Sequence, residues 1–152
     1  MSAIMGILCI PIMYLMARRL FRTPGAAFVT TLLFVADFMH YAVSRIATVD
    51  IYVAFFILQT SYFMYCYLCM DFYRSPLWKT LLPLGACGIT MGLGIATKWT
   101  GLYAAVGLAI FFFYSLWKRF QEYRKADPVT KRELAFYPKA VKTLLFCLGF
   151  FV

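Results

Sequence analysis

Four side chains carry most of the chemistry open to this chain: His40, Arg45 and Asp50, which fall within one eleven-residue stretch, and Lys98. A carboxylate, an imidazole and two cations suit a phosphate-bearing, hydroxyl-rich ligand, because Arg and Lys neutralise phosphate while a carboxylate accepts bonds from hydroxyls. Their setting adds weight. The stretch 40–50 lies between two apolar runs, residues 26–38 and 51–70, and reads as a short turn joining two membrane helices at one bilayer face. An ionisable group held there unpaired is costly, so its presence points to function. Plain structural roles stand beside this. Asp50 can cap the helix that follows it, and Arg45 can pair with Asp50 or Asp37. Lys98 and Trp99 can anchor a helix end at the interface, and His40 has no metal-ligand partner at a suitable spacing.

The elements that must position these residues are set by composition. In 152 residues, 64% hydrophobic and 20% aromatic content exceeds what a soluble core requires and marks an all-α, polytopic integral membrane protein. The first apolar run lacks a preceding basic region and a small-residue cleavage site, so it is expected to stay as a helix. The five cysteines, Cys9, Cys66, Cys69, Cys87 and Cys147, all sit in apolar runs and make a poor disulfide framework. Cys66 and Cys69 match C-x-x-C, but their aromatic helix points to core packing. A net charge of +9 does not indicate nucleic acid here, because the charges fall between the apolar segments. No P-loop, dinucleotide fingerprint, HExxH or serine nucleophile elbow is present.

The hydropathy pattern predicts helices over residues 2–17, 26–41, 50–70, 81–97 and 102–117, with part of a sixth from residue 143. Thr23-Pro24-Gly25 reads as a reversal, with glycine permitting it. Asp37 and His40 are expected on one face of the last turn of the second helix. Gly85, Gly88 and Gly92 form a small-residue stripe that admits a neighbouring helix. Residues 71–79 and the basic stretch 118–142 read as loops. Alternating these segments puts 13 of the 15 positive residues on one side and leaves Arg45 and Lys98 on the other. By the positive-inside rule the thirteen face the cytoplasm.

Three blocks resemble a known family. Residues 38–50, Phe38-Met39-His40-Tyr41-Ala42-Val43-Ser44-Arg45-Ile46-Ala47-Thr48-Val49-Asp50, resemble the block of the protein O-mannosyltransferases in which a Ser-Arg pair shortly precedes an acidic residue. Residues 92–103, with Thr97-Lys98-Trp99-Thr100-Gly101-Leu102, resemble that family's Gly-rich helix ending in a Lys-Trp turn. Residues 11–21, ending Ala17-Arg18-Arg19-Leu20-Phe21, are similar to the end of its second helix. The order of the blocks also matches.

The resemblance implies a GT-C fold, glycosyltransferase family 39, and inverting transfer of mannose from a dolichyl- or other polyprenyl-phosphate carrier to Ser or Thr hydroxyls of proteins on the outer or lumenal face. It implies a catalytic role for Asp50, and substrate contacts to carrier phosphate or sugar for Arg45, Lys98 and His40. No metal or other cofactor is implied beyond the lipid-linked donor. Its partners would be the donor, the acceptor proteins and the bilayer, with a dimer possible for a full-length protein. The membrane would be the plasma membrane in a prokaryote and the endoplasmic reticulum in a eukaryote. The resemblance also implies that residues 1–152 are a partial membrane domain, family helices two to about seven. A first helix, its acidic loop with the catalytic base and the C-terminal helices would lie outside it, and the chain alone would be inactive. A second reading, from the residues alone, is a small transporter or structural membrane protein that binds an anionic solute.

Overall fold

The computed structural model describes residues 2–46, 49–70, 76–125 and 136–151, and among these every regular element is a helix. In chain order they are α1 (Ser2–Phe21), α2 (Pro24–Ala36), α3 (Phe38–Arg45), α4 (Asp50–Leu68), α5 (Leu77–Thr97), α6 (Gly101–Lys125) and α7 (Phe136–Phe151). Four of them, α1, α4, α5 and α6, are long and apolar enough to cross a bilayer. Large apolar side chains such as Ile7, Leu33, Ile110 and Phe113 stand exposed on the helix surfaces, as lipid-facing groups do. The chain is an integral membrane protein.

Its helices run antiparallel in sequence, and their end-to-end contacts show it. At one end of the bundle Asp50, which opens α4, meets Lys98, which follows α5. At the other, the Arg19 guanidinium of α1 lies 5.0 Å from the Tyr62 ring centroid of α4, and Arg119 of α6 donates to the Tyr67 hydroxyl of α4 at 3.1 Å. Tyr123 of α6 stacks edge-on against Tyr137 of α7 at that same end. Arg18, Arg19, Arg119, Arg124 and Lys125 thus share the end opposite the Asp50–Lys98 pair.

Lipid gives little hydrophobic drive between helices, so contact surfaces are built from small residues and matched hydroxyls. Gly6, Cys9 and Ala17 are the buried positions of α1, and Ala27 and Thr31 those of α2. Between α4 and α5 the buried hydroxyls of Thr60 and Thr90 lie 2.9 Å apart, each also near a carbonyl of its own helix. Gly94 packs there so closely that an added Cβ would stand 3.3 Å from the Phe56 Cβ.

Four local expectations change. The second apolar run is two helices: Asp37, at φ −66° and ψ 118°, ends α2, and its carbonyl accepts the Tyr41 N–H at 3.1 Å to open α3. Aspartate favours such a helix boundary because its short side chain competes for local backbone bonds. Asp37 and His40 therefore do not share a last turn of α2, and residues 38–45 are a two-turn helix instead of part of a turn. The reversal after α1 is made by Arg22, at φ 57°, with Gly25 already inside α2. The small-residue stripe fails at Gly92, which has nothing within 4 Å of an added Cβ. Finally, α6 runs on through the basic residues 118–125, and α7 begins at Phe136, so much of the expected basic loop is helical.

Candidate functional site

Asp50 and Lys98 are 48 residues apart in sequence, and the fold brings the Lys98 Nζ to 2.5 Å from the Asp50 Oδ1. Asp50 is the first residue of α4, followed by Ile51 and Val53, both buried against the bundle. Those anchors fix the helix start while the carboxylate stays at the rim. The expected cap is absent: Val49 occupies the N-cap with αR backbone and no side-chain capping bond forms. Asp50 therefore spends its carboxylate on Lys98, and the first-turn amides of α4 contribute a favourable field beneath it.

Lys98 is positioned by a tight junction. Its backbone is extended at φ −160° and ψ 141°, and its N–H bonds the Gly94 carbonyl at 3.2 Å. Its own carbonyl accepts the Gly101 N–H at 3.0 Å, turning the chain directly into α6. A Cβ on Gly101 would lie 2.9–3.0 Å from backbone atoms of Gly94 and Ile95, a separation that real Cβ atoms do not tolerate. The two glycines thus let α5 and α6 meet at the point from which Lys98 extends. The pair remains half open to solvent, with side-chain exposures of 46% for Lys98 and 53% for Asp50.

Arg45 ends α3, and neither Asp50 nor Asp37 holds it in the way sequence spacing suggested. Its Nη1 donates to the Tyr41 hydroxyl at 2.8 Å, and its guanidinium carbon stands 5.2 Å from the centroid of the same ring. Tyr41 lies one turn earlier on α3, so this is an i, i+4 pair on a helix face. Arg45 is exposed, as are Tyr41 and Trp99. His40 belongs to α3 by its backbone, but its side chain lies outside the described residues, as do Ala47 and Thr48.

The structure therefore joins Asp50 to Lys98 and holds Arg45 on the neighbouring short helix, which packs against α1, α2 and α4. Chemically, Asp50, Lys98 and Arg45 offer a carboxylate and two cations, groups of the kind that hold a phosphate beside a hydroxyl-bearing group. Tyr41 and the close contact of Gly101 with Gly94 were not singled out from the sequence. Tyr41 becomes visible once 38–45 is read as a helix, whereas the glycine contact requires knowing that α5 and α6 close on each other.

A cavity of about 300 Å³ lies elsewhere, between α4, α5, α6 and α7, lined by Met64, Leu84, Met91, Leu108, Phe112 and Leu144 among others. Its wall is apolar and carries none of the rim's charged groups.

The family profile described as dolichyl-phosphate-mannose-protein mannosyltransferase matches residues 1–147. Dolichyl-phosphate-mannose–protein mannosyltransferase 4 of Saccharomyces cerevisiae is 34% identical over 116 residues, covering 71% of this chain and 14% of that protein. Dolichyl-phosphate-mannose–protein mannosyltransferase 1 of Candida albicans is 27% identical over 115 residues, covering 76% of this chain and 13% of that protein. The chain thus spans about a seventh of the length of these relatives. No solved structure matches it.

Proposed function

Because this chain belongs to the dolichyl-phosphate-mannose-protein mannosyltransferase family, we propose that its rim forms part of the donor site of an enzyme that moves mannose from a polyprenyl-phosphate carrier to protein Ser or Thr hydroxyls. The observation that carries this reading is the Asp50–Lys98 pair, with Arg45 on the adjoining helix, at the end of the bundle away from the basic cluster. By the positive-inside rule that end is the outer or lumenal one, where acceptor proteins are exposed. The membrane is the endoplasmic reticulum in a eukaryote and the plasma membrane in a prokaryote.

In the reaction the acceptor oxygen attacks the mannose anomeric carbon on the face opposite the phosphate. The bond from that carbon to the phosphate oxygen breaks, and its electron pair leaves on the polyprenyl phosphate. Arg45 and Lys98 stabilise the charge that develops there, which is the transition-state contribution expected of fixed cations. Asp50 is the acid facing the sugar, and in this reading the family's acidic loop supplies the base that takes the acceptor proton. His40 is the further residue on α3 that contacts donor. A dimer is compatible with this arrangement. Family membership gives no support to the alternative of a simple anion carrier.

The test is transfer of mannose from polyprenyl-phosphate mannose to a Ser/Thr-rich peptide by the intact protein. Asp50→Asn and Arg45→Lys should each express and insert yet lose transfer about tenfold to a hundredfold, the size of one charge-assisted contact. Normal turnover by both variants would return Asp50 and Arg45 to structural roles. The 152-residue chain alone should give no transfer in the same assay, and transfer by it would show that its own residues supply the base.

A further inference from the structure

The donor-site reading places Lys98 on a phosphate, yet in this structure its ammonium is bonded to Asp50. We propose that Lys98 changes partner during turnover, pairing with Asp50 before the donor arrives and passing to the carrier phosphate once it is bound, so that Asp50 is released towards the sugar only when the phosphate is seated. This rests on the donor-site reading and adds an exchange to it.

Three features support the exchange. The pair is half exposed on both sides, and ion pairs of that exposure are weak, so a lipid phosphate near it is a strong competitor. The moving part is small: the Lys98 backbone is held by its bonds to Gly94 and Gly101, while a lysine ammonium is a compact charge on a flexible four-carbon stem that can swing without moving a helix. Arg45 is the opposite case, its planar group already fixed on Tyr41 by a hydrogen bond and ring contact. The site therefore has one stationary cation and one exchangeable cation. Asp50 also has somewhere to stay after Lys98 leaves. It stands on the first turn of α4, where no side-chain capping bond is made, so the free helix amides can hold the carboxylate in place.

The rival explanation is that Asp50 only repels the incoming phosphate, or that the pair is a fixed staple between α4 and α5. A binding cycle on the intact protein in lipid nanodiscs separates these, using a polyprenyl phosphate without sugar as the probe and low salt to keep weak variants measurable. Asp50→Asn should bind the probe about two- to fivefold tighter than wild type, the factor by which so exposed a pair holds back a competitor. In a Lys98→Met background the same change should have no effect, because the exchanging group is gone. Asp50→Ser, run in parallel, covers a folding defect peculiar to Asn. An equal gain in both backgrounds would reduce Asp50 to simple repulsion and overturn the exchange, as would unchanged or weaker binding by both Asp50 variants. Those failures leave the donor-site reading standing so long as Lys98→Met and Arg45→Ala lose affinity. If neither of them loses affinity, the donor-site reading itself falls. Inorganic phosphate is titrated alongside: weak binding supports a carrier site, and binding as tight as the lipid probe would transfer the exchange to a general anion site.

Discussion

Tyr41 decides what Arg45 can do. A guanidinium tied by Nη1 to a phenol and laid over its ring keeps its plane fixed, and a fixed plane is what bidentate phosphate recognition needs. Tyr41→Phe keeps the ring and removes the hydroxyl, so mannose transfer should fall by less than for Arg45→Lys, which loses the fork altogether. A Tyr41→Phe enzyme as impaired as Arg45→Lys would mean that the hydroxyl has its own task. For Asp50→Asn the two readouts should part. No capping bond is lost, and a half-exposed ion pair is worth about 0.2–1 kcal/mol, so thermal unfolding in detergent should hardly shift while transfer collapses. Parallel loss of stability and activity would point to a staple.

Elements place these residues through a few close backbone contacts. The junction of α5 and α6 is the tightest, because Gly101 lies against Gly94 where a methyl group has no room. Gly101→Ala should therefore cost about 1–3 kcal/mol, as overpacking does, and should lower transfer as well by displacing the turn that holds Lys98. Gly92→Ala, on the open side of α5, should be neutral or slightly stabilising because alanine is the better helix former. Thermal unfolding of the two variants side by side checks the contrast. Equal tolerance would mean that α6 can slide away from α5 without consequence. On the other side of the site α3 is a separate short helix because Asp37 breaks the run, and this break lets Arg45 leave the axis of α2.

Across the whole molecule the segments alternate, and charge is divided between the two ends. Asp50 and Lys98 meet at one end, while Arg19 and Arg119 contact the closing turns of α4 at the other. Single cysteines placed at 45, 98, 18 and 125 in a background lacking the native cysteines should respond to an impermeant thiol reagent from the outer or lumenal side only at 45 and 98. Labelling at 125 but not at 98 would invert the bundle and remove acceptor proteins from the proposed site. The break at Asp37 and the helical basic stretch 118–125 were not legible in the sequence. The long apolar helices, membrane residence and the placing of Arg18, Arg19, Arg119, Arg124 and Lys125 opposite Asp50 and Lys98 were, because each depends on local composition summed over a segment. Asp50, Arg45 and Lys98 were legible as chemistry for the same reason: charges are conspicuous in a chain with 64% hydrophobic residues. Their partners were not. Spacing suggested Asp50 as a cap and Arg45 as a mate of Asp50 or Asp37, but a salt bridge across 48 residues depends on how α4 and α5 pack. That packing is set by Thr60 against Thr90, and Gly94 against Phe56 and Gly101, contacts between segments that no local pattern encodes. The inventory of charges and of long apolar segments was thus a property of the sequence alone, whereas tertiary structure decided which partner each charge meets.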